Sequence, residues 1–249
     1  MDYNPEISII LCDYNEEDVI ENAIEKVDHV MVKTGWNYEI IVVDDGSSDN
    51  TRQKAIEYRD QNGNSRLKVV GYEKNKGKGN AIRLGFTYAR GKFVVTMDGD
   101  LDINPILIPR YIEALKRSDI AIASKWHRQS HVVITLRRKI LSFGFNILSR
   151  LFTGIKMRDT QSGLKAFRRK VLERMTPRLI VNQYAFDLEL MAACNHTGFN
   201  IAELPVEANI RGTIGLVEIL RMTLDMLKIA HRLRVLKYYQ RDQFVPCWN

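Results

Sequence analysis

The sequence predicts an α/β fold: a mixed, mostly parallel sheet of Rossmann-like type flanked by helices. Three observations carry this. Short runs of β-branched and apolar residues recur at 7–12, 39–44, 67–72, 93–97 and 119–124, and continuous apolar runs of this length suit strands buried on both faces. Helix-patterned stretches separate them, the alternation expected of a parallel sheet. Several of the strands also end in polar, acidic turns, which such a sheet gathers along one edge, where ligands bind.

The first strand is followed by Asp13-Tyr-Asn-Glu-Glu17. A helix over about 17–33 then places Val19, Ala23, Ile24 and Val27 at helical spacing. The second strand leads into Asp45-Gly-Ser-Ser-Asp-Asn-Thr51, where Ser48 or Asp49 can cap the next helix. After the third strand, Asn75-Lys-Gly-Lys-Gly-Asn80 is a glycine-rich basic turn before a helix over 81–89. The strand at 93–97 delivers Asp98-Gly-Asp100-Leu-Asp102. Carboxylates at this spacing offer the hard oxygen ligands that suit Mg²⁺ or Mn²⁺, ions commonly held by one or two carboxylates plus substrate phosphates. A solvated acidic turn has the same spelling, so the motif gains meaning only from its context. Topology supplies some of it, because the loops at 14–16, 44–45 and 98–100 should converge on one sheet edge.

A helix over 105–117 and the strand at 119–124 complete the regular part. Beyond it, Leu136, Ile140, Phe143, Ile147 and Leu151 share one helical face, with Arg137, Arg138, Lys139 and Arg150 interspersed. This predicts an amphipathic helix over about 132–152. A second, over about 216–236, aligns Leu216, Leu220, Leu224 and Leu227, and it carries too many charges to span a bilayer. Such helices either pack on the sheet or lie in a membrane interface, and amphipathicity leaves both open. Between them, residues 158–167 read as a loop entering a strand, Phe186-Asp-Leu-Glu189 opens a helix that Asp187 can cap, and 201–206 is a late strand.

Composition bounds the partners. The 249 residues are 45% hydrophobic, enough for a full core. No apolar run reaches the ~18 residues of a membrane span, and the first five residues show no signal-peptide pattern. Three widely spaced cysteines, Cys12, Cys194 and Cys247, fit no zinc or redox motif and predict a reduced, cytoplasmic protein. The net charge is +7, yet residues 125–174 hold 13 Lys/Arg against two acids. That local +11 suits an anionic membrane, a phosphorylated substrate or nucleic acid. The last is disfavoured by the lack of a recognised motif and the few interleaved aromatics.

Taken together, Tyr14-Asn-Glu16, Val42-Val-Asp-Asp-Gly-Ser-Ser-Asp49, Asn75-Lys-Gly-Lys-Gly79 and Asp98-Gly-Asp100 resemble glycosyltransferase family 2, with its GT-A fold. Asp159-Thr-Gln-Ser-Gly163 and Phe186-Asp-Leu-Glu189 narrow the resemblance to the polyprenyl-phosphate sugar synthases, over roughly residues 7–211. The resemblance implies inverting transfer of one sugar from a nucleotide donor to dolichyl or another polyprenyl phosphate. It implies nucleotide contacts from Tyr14, Glu16, Val43, Asp45, Asp98 and Gly99, and a Mg²⁺ or Mn²⁺ ion on Asp98 and Asp100. It assigns Lys125, Arg138 and Ser142 to the acceptor phosphate, so that Asp98, Asp100, Lys125 and Arg138 form the catalytic set. Asp102, Asp159, Gln161, Asp187 and Arg211 stand at positions whose roles stay open; Asp187 and Asp159 can be purely structural. The Asp-Thr-Gln-Ser-Gly-Leu-Lys run is closer to the glucose-transferring branch and favours a UDP-sugar, with GDP-mannose second; the other alternative is a family 2 glycosyltransferase acting on a saccharide acceptor, which would need a carboxylate base.

There are departures from the family pattern. Cys12 replaces a proline, Lys125 an arginine and Asp102 a glutamine, while Arg211-Gly-Thr-Ile-Gly215 only loosely echoes a later phosphate-grasping stretch. The expected organisation is a transferase domain over 1–211, including the first interface helix, and a C-terminal helix and tail over 212–249. The protein should act peripherally on the cytoplasmic face of a membrane.

Overall fold

The computed structural model describes residues 4–210 and 215–240. Arg211 and Cys247 lie outside the described residues. In chain order the elements are β1 (Ile7–Asp13), α1 (Ile20–Val32), β2 (Tyr38–Asp44), α2 (Thr51–Gln61), β3 (Leu67–Gly71), α3 (Lys78–Tyr88), β4 (Phe93–Asp98), α4 (Ile108–Ala114) and β5 (Ile120–Ser124). They continue with β6 (His131–Ile134), α5 (Leu136–Thr153), β7 (Leu164–Arg168), α6 (Arg169–Met175), α7 (Phe186–His196), β8 (Ile201–Pro205), β9 (Glu207–Ile210) and α8 (Leu216–Arg234).

Seven strands form one sheet in the order β3-β2-β1-β4-β7-β5-β8. All neighbours are parallel except β7, which runs antiparallel to both β4 and β5. The expected mostly parallel sheet is therefore present. Its central strands are buried on both faces, which is why β1 and β2 read as unbroken apolar runs. One hydrophobic cluster joins the sheet to α3, α7 and α8, and a second joins it to α1 and α4.

Two local readings change, and one that was left open is answered. The first amphipathic helix starts at Leu136, not 132, because His131–Ile134 pairs with β9 as a separate two-stranded sheet. Thr135 caps the helix by accepting from the Arg138 N–H at 3.4 Å. The helix expected over 105–117 is a 3₁₀ turn followed by the shorter α4. Finally, the leucine stripes do not pack inward. In α5, Leu136, Ile140, Phe143, Ile147 and Leu151 are exposed, as are Leu220, Leu224 and Leu227 in α8. The helices instead meet through opposite faces, where Ser149 Oγ lies 3.6 Å from Met226 Sδ. Among the described residues no helix is long and apolar enough to cross a membrane.

Candidate active site

The ends of β1, β2 and β4 meet as the topology predicts. Asn15 turns the chain with φ 58°, and its Oδ1 accepts from the Ser48 N–H at 2.8 Å. The Asn15 N–H in turn reaches Ser47 Oγ at 2.9 Å, and the Glu16 N–H reaches Thr51 Oγ1 at 2.8 Å. Neither Ser48 nor Asp49 caps α2, whose N-cap is Asn50 without a side-chain bond; Asp49 instead closes a local turn by accepting from the Thr51 N–H at 3.0 Å. Asp45 accepts from the N–H groups of Lys76 and Gly77, each at 2.9 Å. Gly77 has φ 92° and packs so closely on the Asn182 carbonyl that a Cβ would collide with it. Bonds between backbone N–H groups and side-chain oxygens thus clip the loops after β1, β2 and β3 together.

These loops wall a cavity of ≈ 320 Å³ lined by Cys12, Asp13, Tyr14, Asp45, Lys78, Asp98, Gln183 and Tyr184, among others. Tyr14 is exposed over it. Val43 is fully buried, with its side chain against Gly85, so any ligand contact it makes comes from its backbone. A second cleft, ≈ 80 Å³, shares Asp98 and brings Asp100, Asp102 and Gln161 together with Lys125 and Arg138. Lys125 also lines a third cavity, ≈ 300 Å³, with Trp126, Lys139 and Ser142. Acidic and basic candidates therefore face one another across Asp98 and Lys125.

The acids crowd. Asp13 is buried at the end of β1, neither carboxylate oxygen has a hydrogen-bond partner among the described residues, and its Oδ1 fills the space a Cβ on residue 99 would need. Only glycine fits at Gly99. Burial and the charges of Glu16, Asp98 and Asp100 push the Asp13 carboxyl well above the usual range. Glu16 is pushed up to about 7, by burial and then by Asp100. Asp100, although open to the cleft, is pushed up to about 6 by desolvation within the cluster and by Asp98.

Such an excess of negative charge fits a divalent cation. The donor set is entirely carboxylate oxygen, the chemistry of Mg²⁺ or Mn²⁺. Among the described residues no three His, Cys, Asp or Glu side chains are grouped to enclose an ion. Two aspartates completed by a diphosphate match that arrangement better than an all-protein cage.

Asp159 accepts from the Lys125 and Gln161 N–H groups at 2.9 and 3.1 Å and lies 3.3 Å from Lys125 Nζ. It both orders its loop and positions Lys125. Gln161 donates to the Tyr184 carbonyl at 3.2 Å, and the Asp102 N–H bonds Asp100 Oδ1 at 3.0 Å. Asp187 does not cap α7, whose N-cap is Ala185 without a side-chain bond. It pairs instead with Lys165 at 2.9 Å and Lys78 at 3.2 Å, and Lys78 reaches on to Asp98 Oδ1 at 2.6 Å. Burial pushes Asp187 upward, but the two lysines outweigh it and hold the carboxyl below its ordinary value. Burial likewise opposes the charge on Lys78, yet Asp187 and Asp98 raise it above the ordinary lysine range.

Sequence reasoning missed Asp13, Lys78 and Lys165. Lys78 stood inside a recognised motif; its contacts come from β4 and α7, which no local pattern joins to it.

Comparisons with known proteins bear on the family and the fold. Residues 8–176 match the profile of glycosyl transferase family 2. A dolichyl-phosphate β-glucosyltransferase of Drosophila melanogaster is 30% identical over 215 residues, 81% of this chain and 66% of the fly protein. A dolichol-phosphate mannosyltransferase of Pyrococcus furiosus is 34% identical over 210 residues, 82% of this chain and 57% of its own. The chain thus spans about two-thirds or less of the length of these relatives. Among solved structures, glucosyl-3-phosphoglycerate synthase from Mycobacterium tuberculosis, in complex with UDP, superposes with a TM-score of 0.69 at 20% identity. That match covers 91% of this chain and 80% of the other, and it establishes the GT-A-like fold. With its strand order, its converging acidic loops and a profile match over residues 8–176, the chain belongs to glycosyl transferase family 2.

Proposed function

We propose that this chain moves one sugar from a nucleotide-sugar donor to dolichyl or another polyprenyl phosphate, with inversion at the anomeric carbon. The observation that carries the reading is the meeting of Asp98 and Asp100 with Lys125 and Arg138 in one cleft. That cleft opens beside α5, whose exposed apolar face suits a lipid-bearing acceptor. The relatives named for transfer to dolichyl phosphate support the same acceptor class. On this reading residues 1–211 are the transferase domain and 212–249 a helix and tail that help it sit peripherally on the cytoplasmic face of a membrane.

A phosphate monoester is already anionic near neutral pH, so it needs no carboxylate base. Its oxygen bonds to the sugar C1 as the C1–O bond to the nucleoside diphosphate breaks. Lys125, held by Asp159, and Arg138 offset the repulsion between incoming phosphate and donor diphosphate. Ser142 adds a hydroxyl in the adjoining cavity. Tyr14 and Asp45 wall the nucleotide side, and Glu16 stands in the same loop as Tyr14. A Mg²⁺ or Mn²⁺ ion on Asp98 and Asp100 would supply Lewis-acid stabilisation of the departing diphosphate. A UDP-sugar, UDP-glucose first, is the favoured donor given the glucosyltransferase relatives. GDP-mannose is the second reading, favoured by the 34% identity to a mannosyltransferase.

The test is transfer of radiolabel from UDP-glucose or GDP-mannose to polyprenyl phosphate, with Mn²⁺ or with chelator. Label should enter the lipid phase only with the metal, and Asp100→Ala should lower it about 10²–10³-fold. Label in no lipid product from either donor would overturn the acceptor assignment.

A further inference from the structure

Four charged side chains beside the site form a chain that runs from the core to the cleft: Lys165, Asp187, Lys78 and Asp98. Its inner end is buried, with Lys165 2% and Asp187 6% exposed. Its outer end is open, with Lys78 28% and Asp98 33% exposed. The two contacts of Lys78 are correspondingly unequal in setting. Asp187, itself fixed by Lys165 at 2.9 Å, tethers the ammonium from inside, while Asp98 meets it at the cavity wall at 2.6 Å.

Resting on the donor-site reading above, we propose that Lys78 is an exchangeable counter-ion. It holds Asp98 while no divalent cation is bound, then releases that carboxylate and turns its charge toward the donor's diphosphate. The carboxylate that Lys78 holds is one of the two proposed to carry the metal. At 2.6 Å the ammonium already neutralises part of a cluster that includes Asp13, Glu16 and Asp100. A divalent ion on Asp98 would face that positive charge at close range, so the two cations compete for one oxygen.

The tether decides where Lys78 goes. Asp187 keeps it in the wall of the same ≈ 320 Å³ cavity that Tyr14, Asp45 and Asp98 line. Lys78 is also the first residue of the 11-residue α3, whose N-terminal end brings partial positive charge toward the cavity. A structural ion pair would need none of this placement. Lys78 is thus a positioning residue that holds Asp98 before the donor binds and then assists the leaving group.

The experiment compares wild type, Lys78→Met and Lys78→Arg. Mn²⁺ affinity is measured without nucleotide by electron paramagnetic resonance of the free ion. UDP affinity (or GDP, for a mannosyl donor) is then measured at saturating Mn²⁺ by calorimetry. Lys78→Met should bind Mn²⁺ about tenfold more tightly and the nucleotide about tenfold more weakly, whereas Lys78→Arg should stay near wild type. A merely structural lysine would move both affinities downward together. Mn²⁺ binding that is unchanged or weaker in Lys78→Met overturns the proposal. If Lys78→Met does not fold by circular dichroism, Lys78→Gln carries the same expectations. Asp98→Asn separates the two readings: Mn²⁺ bound equally with and without the Asp98 carboxylate would overturn the metal site itself.

Discussion

The acidic side of the site and the basic side facing it are built in different ways. On the acidic side, loops from three parallel strands are fastened to one another by bonds from backbone N–H groups to side chains, and Asp98 is backed by an ion-pair chain whose inner end is buried. On the basic side, Lys125 rests on Asp159, and beyond it α5 presents Lys139, Ile140 and Phe143 outward. One side is assembled before ligand arrives; the other offers charge and apolar surface whose complement lies outside the described chain. This division suits a reaction in which a small, water-soluble donor enters a preformed pocket and the second substrate comes from a lipid surface. It also implies that substitutions on the acidic side cost stability as well as activity, whereas those on the outer face of α5 and α8 cost neither in water.

Asp187→Ala should break the contrast most severely. It leaves Lys165 and Lys78 without their shared carboxylate, and removing one partner of a buried pair costs about 3–5 kcal/mol. Urea unfolding checks this, and a loss under about 1 kcal/mol would mean the chain is not a structural support. The pH dependence has a definite sign. Because the native carboxyl lies below its unfolded value, its contribution is complete above about pH 4 and is lost as pH falls through the lowered native value. Asp187→Asn should therefore flatten the acid limb of the stability curve and leave its shape at neutral pH alone.

Ile140→Asp combined with Leu224→Asp should be the mildest change in solution. Both side chains are exposed, so stability should shift by no more than about 0.5 kcal/mol. Binding to vesicles containing anionic lipid, read by flotation, should nonetheless fall sharply, since the double variant removes apolar area and adds like charge. Unchanged flotation would take the membrane role away from this face.

Much of this was legible in the sequence because it is local. The apolar runs of β1, β2 and β4 announce strands buried on both faces, and the parallel alternation forces their acidic turns together. What stayed hidden depends on distant partners. His131–Ile134 is too short to declare itself a strand, and its partner begins at Glu207. Helical spacing put Leu220 and Leu224 on one face of α8 but could not say which face was covered, because that depends on α5 packing through Ser149. Asp187 sits in a helix first turn, where capping is the ordinary expectation. Only the fold brings two lysines to it. Asp13 stood at the head of an acidic run, but nothing local marked it as buried, since its burial follows from the approach of Gly99 in the turn after β4.

The most direct test of the division between the two sides is nucleotide binding without any lipid. Calorimetry should show UDP or GDP binding to the protein in detergent-free buffer with Mn²⁺, lost on chelation. Arg138→Ala should bind the nucleotide as wild type does while its KM for polyprenyl phosphate rises about tenfold. Nucleotide binding that begins only when vesicles are added would contradict a preformed donor side.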